Sequence, residues 1–246
     1  MKKFDHKKAW RLLERAKRLT VSAVGRRNKT DSGRSGVAAM QGWVPLPSPS
    51  PADFVSGDLH YRILSAVELT VEVANGTPGT YSGNMVIPPT VSHDSKSYTV
   101  AAIGSGAFYG CTNLQSVHIP DSVTVIGDEA FGGCRSLTAV SIPDSVATIG
   151  YGAFWGCERL TAVSLPSGIT EIDNGVFAHC SGLRTVVLPQ RVVRIGDEAF
   201  SGCHNLGAVT IPESVEHIGD FAFFGCSSLP AVAIPDALRQ SGPVHP

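Results

Sequence analysis

The sequence has no apolar run approaching the roughly 20 residues needed to cross a bilayer as a helix. It has no His-x-x-x-His pair, no C-x-x-C pair, and no glycine-rich loop of the P-loop or dinucleotide pattern. The short motifs that carry zinc and phosphate chemistry are therefore missing. Its histidines are scattered, with His118, His179, His204 and His217 at unrelated places. From this we expect no catalytic residue, no metal site, no cofactor and no enzyme. The N-terminus does not read as a secretory signal peptide either: charges continue to Arg18, and the run LTVSAVG that follows is too short for an apolar region.

What the chain does have is a period. Cys111, Cys134, Cys157, Cys180, Cys203 and Cys226 are each 23 residues apart. The same step separates Phe108, Phe131, Phe154, Phe177, Phe200 and Phe223, and likewise Leu114, Leu137, Leu160, Leu183, Leu206 and Leu229. One unit is too short to bury its own apolar side chains, so like residues must line up in ladders between stacked coils. In the unit ending at Ile142, Val140 and Ile142 point to one side of a short strand, and Ala139 and Ser141 to the other. Pro143 ends the strand because it cannot donate to a ladder. Val146 and Ile149 form a return leg, Gly150 is expected to permit a tight turn, and Phe154 is the largest filler. The acid pairs Asp128–Glu129 and Asp197–Glu198 share one repeat position, which reads as solvated surface. Neighbouring coils lie roughly 5 Å apart, within disulfide reach. A cysteine at the same place in every coil also behaves as a small core residue, and the free-thiol ladder is favoured over disulfides.

A fixed period in this range with this apolar spacing is the signature of a leucine-rich-repeat solenoid. The unit [IL]-P-x-x-[VI]-x-x-I-G-x-x-A-F-x-G-C-x-x-L-x-x-V resembles the BspA-like leucine-rich repeats over about Tyr81 to Asp236. The resemblance implies a right-handed curved solenoid with short parallel strands, turns and short helical segments. It also implies adhesion to host proteins or other cells, on secreted or surface-anchored chains. One coil departs from the pattern: Asp173 replaces the glycine, Val176 the alanine and His179 the second glycine, a change that bears on that coil's turn and not on the fold.

Charge divides the chain. Residues 1–52 hold 12 Lys/Arg against 3 Asp/Glu, and residues 53–246 hold 8 against 18. Residues 4–20 read as a basic amphipathic helix, with Trp10, Leu12, Leu13 and Leu19 on one side. Two readings are open for it: a membrane-surface or partner-binding helix, or a solvated tail. A disordered Ser/Pro-rich linker follows to residue 52. Residues 53–98 read as an N-terminal cap of β-hairpin type, with strands around Tyr61–Leu64 and Leu69–Val73, a repeat-like Met85–Pro88, and HDSKSYT as an insertion. Six 23-residue repeats occupy 99–235. Residues 236–246 begin a seventh unit without completing it, so the last coil is expected to be uncapped: either the natural chain is longer, or another copy or a partner covers this end by end-to-end contact.

Two surfaces are candidates for binding a protein ligand. The concave strand face carries Ser116, His118, Ser141, Ser164, Thr185 and Thr210 beside alanines and Val187, and none of these is charged or large. The aromatic anchors that usually concentrate interface energy lie elsewhere. Tyr109, Tyr151 and Trp155 are expected either to form one exposed edge patch or to pack over neighbouring turns. We expect a non-enzymatic protein-recognition module, adhesin-like and at the cell surface or secreted, with no nucleic-acid partner. The alternative is a cytoplasmic scaffold that docks its basic helix on membrane or nucleic acid.

Overall fold

The computed structural model describes residues 52–76, 79–230 and 235. The basic stretch 4–20, the linker up to residue 51, and Ala231, Val232, Ala233, Ile234 and the segment 236–246 lie outside them.

The first three strands form antiparallel hairpins: β1 (Phe54–Ser56) pairs β2 (Leu59–Ser65), which pairs β3 (Thr70–Val73). Tyr61, Val71 and Val73 turn inward on alternate positions and are buried. β4 (Gly83–Val86) follows. The stretch expected as an insertion is a hairpin, β5 (Thr90–His93) against β6 (Lys96–Ile103). Asp94 and Ser95 between them have φ of 47° and 60°, the left-handed pair that matches a two-residue loop to the twist of its strands. The end of β6, Ala102–Ile103, pairs in parallel with β8 (Val125–Ile126), so one strand joins the hairpins to the first repeats.

Each later coil contributes two short strands, and both ribbons are parallel. The first row of strands forms two parallel sheets, β4 with β7 (Leu114–His118) and β9 (Ala139–Ser141), and β11 (Ala162–Ser164) with β13 (Thr185–Val187) and β15 (Ala208–Thr210); β9 and β11 are not paired. The return legs are β8, β10 (Thr148–Ile149), β12 (Glu171–Ile172), β14 (Arg194–Ile195) and β16 (His217–Ile218). Register advances by one repeat per strand, as in Ala162↔Thr185↔Ala208.

No helix occurs among the described residues, so the expected short helical segments are turns instead. The hydrogen bonds give the reason. In the second coil Ala130, Gly132 and Cys134 N–H donate within the turn, to Gly127, Glu129 and Phe131 carbonyls. The amides between them, Glu129, Phe131 and Gly133, donate to Tyr151, Ala153 and Trp155 of the next coil at 2.7–2.8 Å. With every second amide drawn into a neighbour, an i→i−4 ladder cannot form.

The alternation holds each Phe side chain in the coil centre. The rings stack from Phe108 to Phe223 at centroid spacings of 5.0, 5.2, 5.6, 5.5 and 5.3 Å, and Tyr81 closes the column at 5.0 Å from Phe108. The Tyr81 hydroxyl is held by His60 Nδ1 at 2.9 Å. All six cysteines are free and buried. From Cys134 on, each thiol donates to the Phe carbonyl one coil back at 3.1–3.3 Å. Burial pushes the Cys111, Cys134, Cys157, Cys203 and Cys226 thiols up, Cys226 to about 11, which keeps them protonated and unreactive.

Gly150 does not serve the turn through its φ. The left-handed residues are Gly152 and Gly156 in that coil, and Glu129, Glu198, Phe221 and His179 at the equivalent places in others. Gly150 is a glycine because a Cβ there would lie 2.8 Å from the Asp128 nitrogen of the preceding coil; at Gly196 the equivalent approach, to Asn174, is 2.6 Å. The fourth coil shows the converse. Its turn keeps the left-handed residue, His179 at φ 60°, and buries Val176, but Val176 lacks the bond that Ala130 and Ala153 make to Gly127 and Gly150. Asp173 cannot make glycine's close approach, and β12 pairs only with β14, leaving the return ribbon interrupted after β10.

Phe154 is fully buried between two stacked rings, whereas Phe223 is partly exposed. Phe154→Ala is expected to cost about 3–5 kcal/mol and Phe223→Ala clearly less. Urea melts of the two variants check this, and equal losses would contradict a column held from both sides.

Candidate functional site

The turn edge carries the three aromatics singled out from the sequence, and each packs toward a neighbouring coil. Tyr109 is half-buried, and a Cβ on Gly132 would come within 3.0 Å of its ring, so the tyrosine covers that glycine. Trp155 is half-buried and meets His179 edge-to-face at 6.1 Å. Tyr151 is 38 % exposed and lies over Gly175 of the fourth coil. Tyr151 and Trp155 share a turn, while Tyr109 belongs two coils away.

Asp128 and Glu129 are not the solvated pair the repeat position suggests. Asp128 Oδ1 accepts the Tyr151 N–H at 3.0 Å, and likewise Asn174 Oδ1 accepts the Asp197 N–H and Asp197 Oδ1 the Asp220 N–H. Tyr151 stands where other coils have Asp or Asn, and in the next coil Asp173 accepts the Asn174 N–H at 2.7 Å. Glu129 is only 5 % exposed. Burial first, and then the Asp128 charge, push its carboxyl from an ordinary 4.5 to about 7. Glu129 in turn helps raise the Tyr109 hydroxyl, after burial. The sequence hides this burial because the neighbouring coils have glycine at the same place, and a glycine leaves room above it.

The strand ribbon presents His118, Ser141, Ser164, Thr185 and Thr210 to solvent. Ser116 is half-buried, its hydroxyl donating to Asn84 at 2.7 Å. Val187 is 74 % exposed in the same row. Beside it lies a feature the sequence reading missed, an open cleft of about 440 Å³ lined by Ser164, Leu165, Ser167, Gly168, Val187, Pro189, Gln190 and Arg191. Its signal was present as a lapse in the repeat, Ser-Gly and Gln-Arg standing where other coils have Asp-Ser or Glu-Ser. Among the described residues no group of three or more His, Cys, Asp or Glu is placed to hold a metal ion, and there is no helix long and apolar enough to cross a membrane.

Coils of 23 residues stacked through two parallel ribbons over one continuous apolar core define a leucine-rich-repeat solenoid. Solved structures agree. A leucine rich cell surface protein from Faecalibacterium prausnitzii A2-165 is 33% identical with a TM-score of 0.61, over 76% of this chain and 55% of that one. A leucine-rich repeat protein from Bacteroides ovatus is 29% identical with a TM-score of 0.59, over 76% and 54%. The leucine-rich repeat protein of T. pallidum is 28% identical with a TM-score of 0.58, over 76% and 93%. The chain belongs to the BspA-type leucine-rich repeat family, whose repeat model matches residues 101–230 in six copies. It spans about half the length of the first two of these relatives. Comparison with curated proteins returned no match.

The buried Glu129 makes stability depend on pH with a defined sign. Its folded pKa of about 7 lies above its ordinary 4.5, so the folded state holds a proton that the unfolded state releases. The contribution is fully present below pH about 4.5 and lost as pH rises through about 7, on the order of 3 kcal/mol in all. Glu129→Gln is expected to remove this component, giving a flatter profile and a more stable protein at pH 8. Urea melts from pH 4 to 8 read it, and an unchanged slope in the variant would contradict the assignment.

Proposed function

We propose that the chain is a non-enzymatic protein-recognition module, adhesin-like and displayed at the cell surface or secreted. The observation that carries this reading is the exposed row Ser141, Ser164, Thr185, Val187 and Thr210 on β9, β11, β13 and β15, the last three paired in parallel. Small side chains on a regular ribbon let another polypeptide lie close along many coils, the use to which solenoid surfaces are put. Tyr151 and Trp155 on the turn edge supply aromatic anchors of the kind that concentrate interface energy. The cell-surface description of the Faecalibacterium prausnitzii relative supports the location.

Contact through the sixth coil has its own support. Phe221 and Phe224 there are each 58 % exposed and meet edge-to-face at 5.8 Å. The cytoplasmic scaffold reading rests on the basic charge of residues 1–52 alone. N-terminal sequencing of the native protein separates the two: an intact Met1 on cytosolic material removes the surface reading.

The recognition surface is tested on partners captured from intact cells with the full chain as bait. Calorimetry then compares Trp155→Ala with the double variant Ser141→Arg/Ser164→Arg. The arginine pair is expected to weaken binding more than about tenfold by blocking close approach, and Trp155→Ala by a smaller factor. Unchanged affinity in both folded variants would remove the strand ribbon and the aromatic edge together. Failure to capture any partner would count against the recognition reading itself.

A further inference from the structure

We propose that the cleft between the third and fourth coils binds an extended segment of a partner protein carrying an acidic side chain next to an aliphatic one. Arg191 takes the carboxylate and Val187 the aliphatic group. The proposal rests on the recognition reading and narrows it to one site and one ligand chemistry.

The cleft opens where β11 and β13 end, and it exists because two coils break the repeat together. Elsewhere the residues after the proline are Asp121-Ser122, Asp144-Ser145 and Glu213-Ser214. In two of these the serine ties its coil to the one before: Ser145 donates to the Val123 carbonyl at 2.7 Å and Ser214 to the Val192 carbonyl at 2.6 Å. The third and fourth coils have Ser167-Gly168 and Gln190-Arg191. The fold does not require glycine at 168. Its backbone is not left-handed, and nothing lies within 4 Å of where its Cβ would be. What the glycine does is leave the space open.

Three further features give the opening a ligand chemistry. Val187 stands 74 % exposed where the neighbouring strands end in Ser164 and Thr210. Arg191 is exposed on the cleft wall. Arg62, Arg135 and Arg194 pair with Glu72, Glu158 and Glu171, and Arg191 takes part in no ion pair among the described residues. Its guanidinium can therefore offer a fork of donors to a carboxylate. The carboxylates of Asp121, Asp144 and Glu213 occupy the same edge in coils on either side. An acidic ligand side chain is repelled at those coils and accepted at Arg191, which sets the register of the bound segment. The volume, about 440 Å³, suits a few side chains, while the small residues Ser164 and Thr185 next to it admit the backbone.

The test uses the labelled full chain on an array of random octapeptides. Bound peptides are expected to be enriched in Asp or Glu adjacent to Val, Leu or Ile. Arg191→Ser and Gly168→Ser restore the residue that other coils carry, so the fold is kept, and each is expected to weaken the best peptide about tenfold. Arg159→Glu, a charge reversal at an exposed arginine outside the cleft, is expected to leave binding unchanged. Peptides that bind without acidic enrichment, or that bind both cleft variants as well as the parent, overturn the cleft assignment while leaving recognition intact. The absence of any bound peptide also overturns it; the recognition reading is then judged separately by partner capture from cells.

Discussion

Alternate amides of each turn reach across to the next coil, and the rest of the molecule depends on that reach. Phe108 N–H donates to Ala130 O at 2.7 Å, Phe131 to Ala153 at 2.7 Å, Phe154 to Val176 at 2.9 Å, Phe177 to Ala199 at 2.9 Å and Phe200 to Ala222 at 2.8 Å. These bonds fix the coil spacing, and the coil spacing stacks the rings. The amides between them donate within the turn, apart from Val176 in the fourth coil, so a segment with no regular secondary structure leaves few buried backbone groups unpaired. The buried thiols from Cys134 on add a weak donor at the same seam.

The seam also explains which departures from the repeat are tolerated. Asp173 and Tyr151 are linked changes. Tyr151 gives up the acceptor that Asp or Asn supplies in other coils, and Asp173 supplies one locally at the cost of the glycine's close approach. The consequence appears in the return ribbon, interrupted between β10 and β12, and in the widest ring spacing of the column, 5.6 Å between Phe154 and Phe177. The turn ladder runs through the same junction unbroken. Strand pairing is also absent between β9 and β11 at this junction, so the turn bonds that hold the rings are the attachment that remains.

Period and residue type were enough to read the coil: Phe154, Cys157, Leu160 and Val163 stand in the core because ladders of like residues have nowhere else to go. What a single repeat cannot reveal is contact between different repeat positions. Gly150 looks like a turn residue until the preceding coil's backbone is placed against it. Glu129 looks solvated until Gly152 and Tyr109 are placed beside it. The same limit applies to the surface. The aromatics Tyr109, Tyr151 and Trp155 stand out by type, but the cleft at Gly168 and Arg191 arises from two ordinary residues whose places in adjacent coils happen to meet. Departures that cluster across neighbouring repeats are the sequence feature that carries such sites.

Native-state hydrogen exchange tests the seam most directly. In the return leg, Ala147 N–H donates to Thr124, Val193 to Thr170 and Glu216 to Val193 at 2.8–2.9 Å, whereas the equivalent Thr170 amide makes no such bond to the preceding coil. The account predicts that Phe131, Phe154 and Phe177 amides exchange only through global unfolding, and that Thr170 exchanges far faster than Ala147 and Val193. Equal protection at Thr170, or rapid exchange at Phe154, would contradict it.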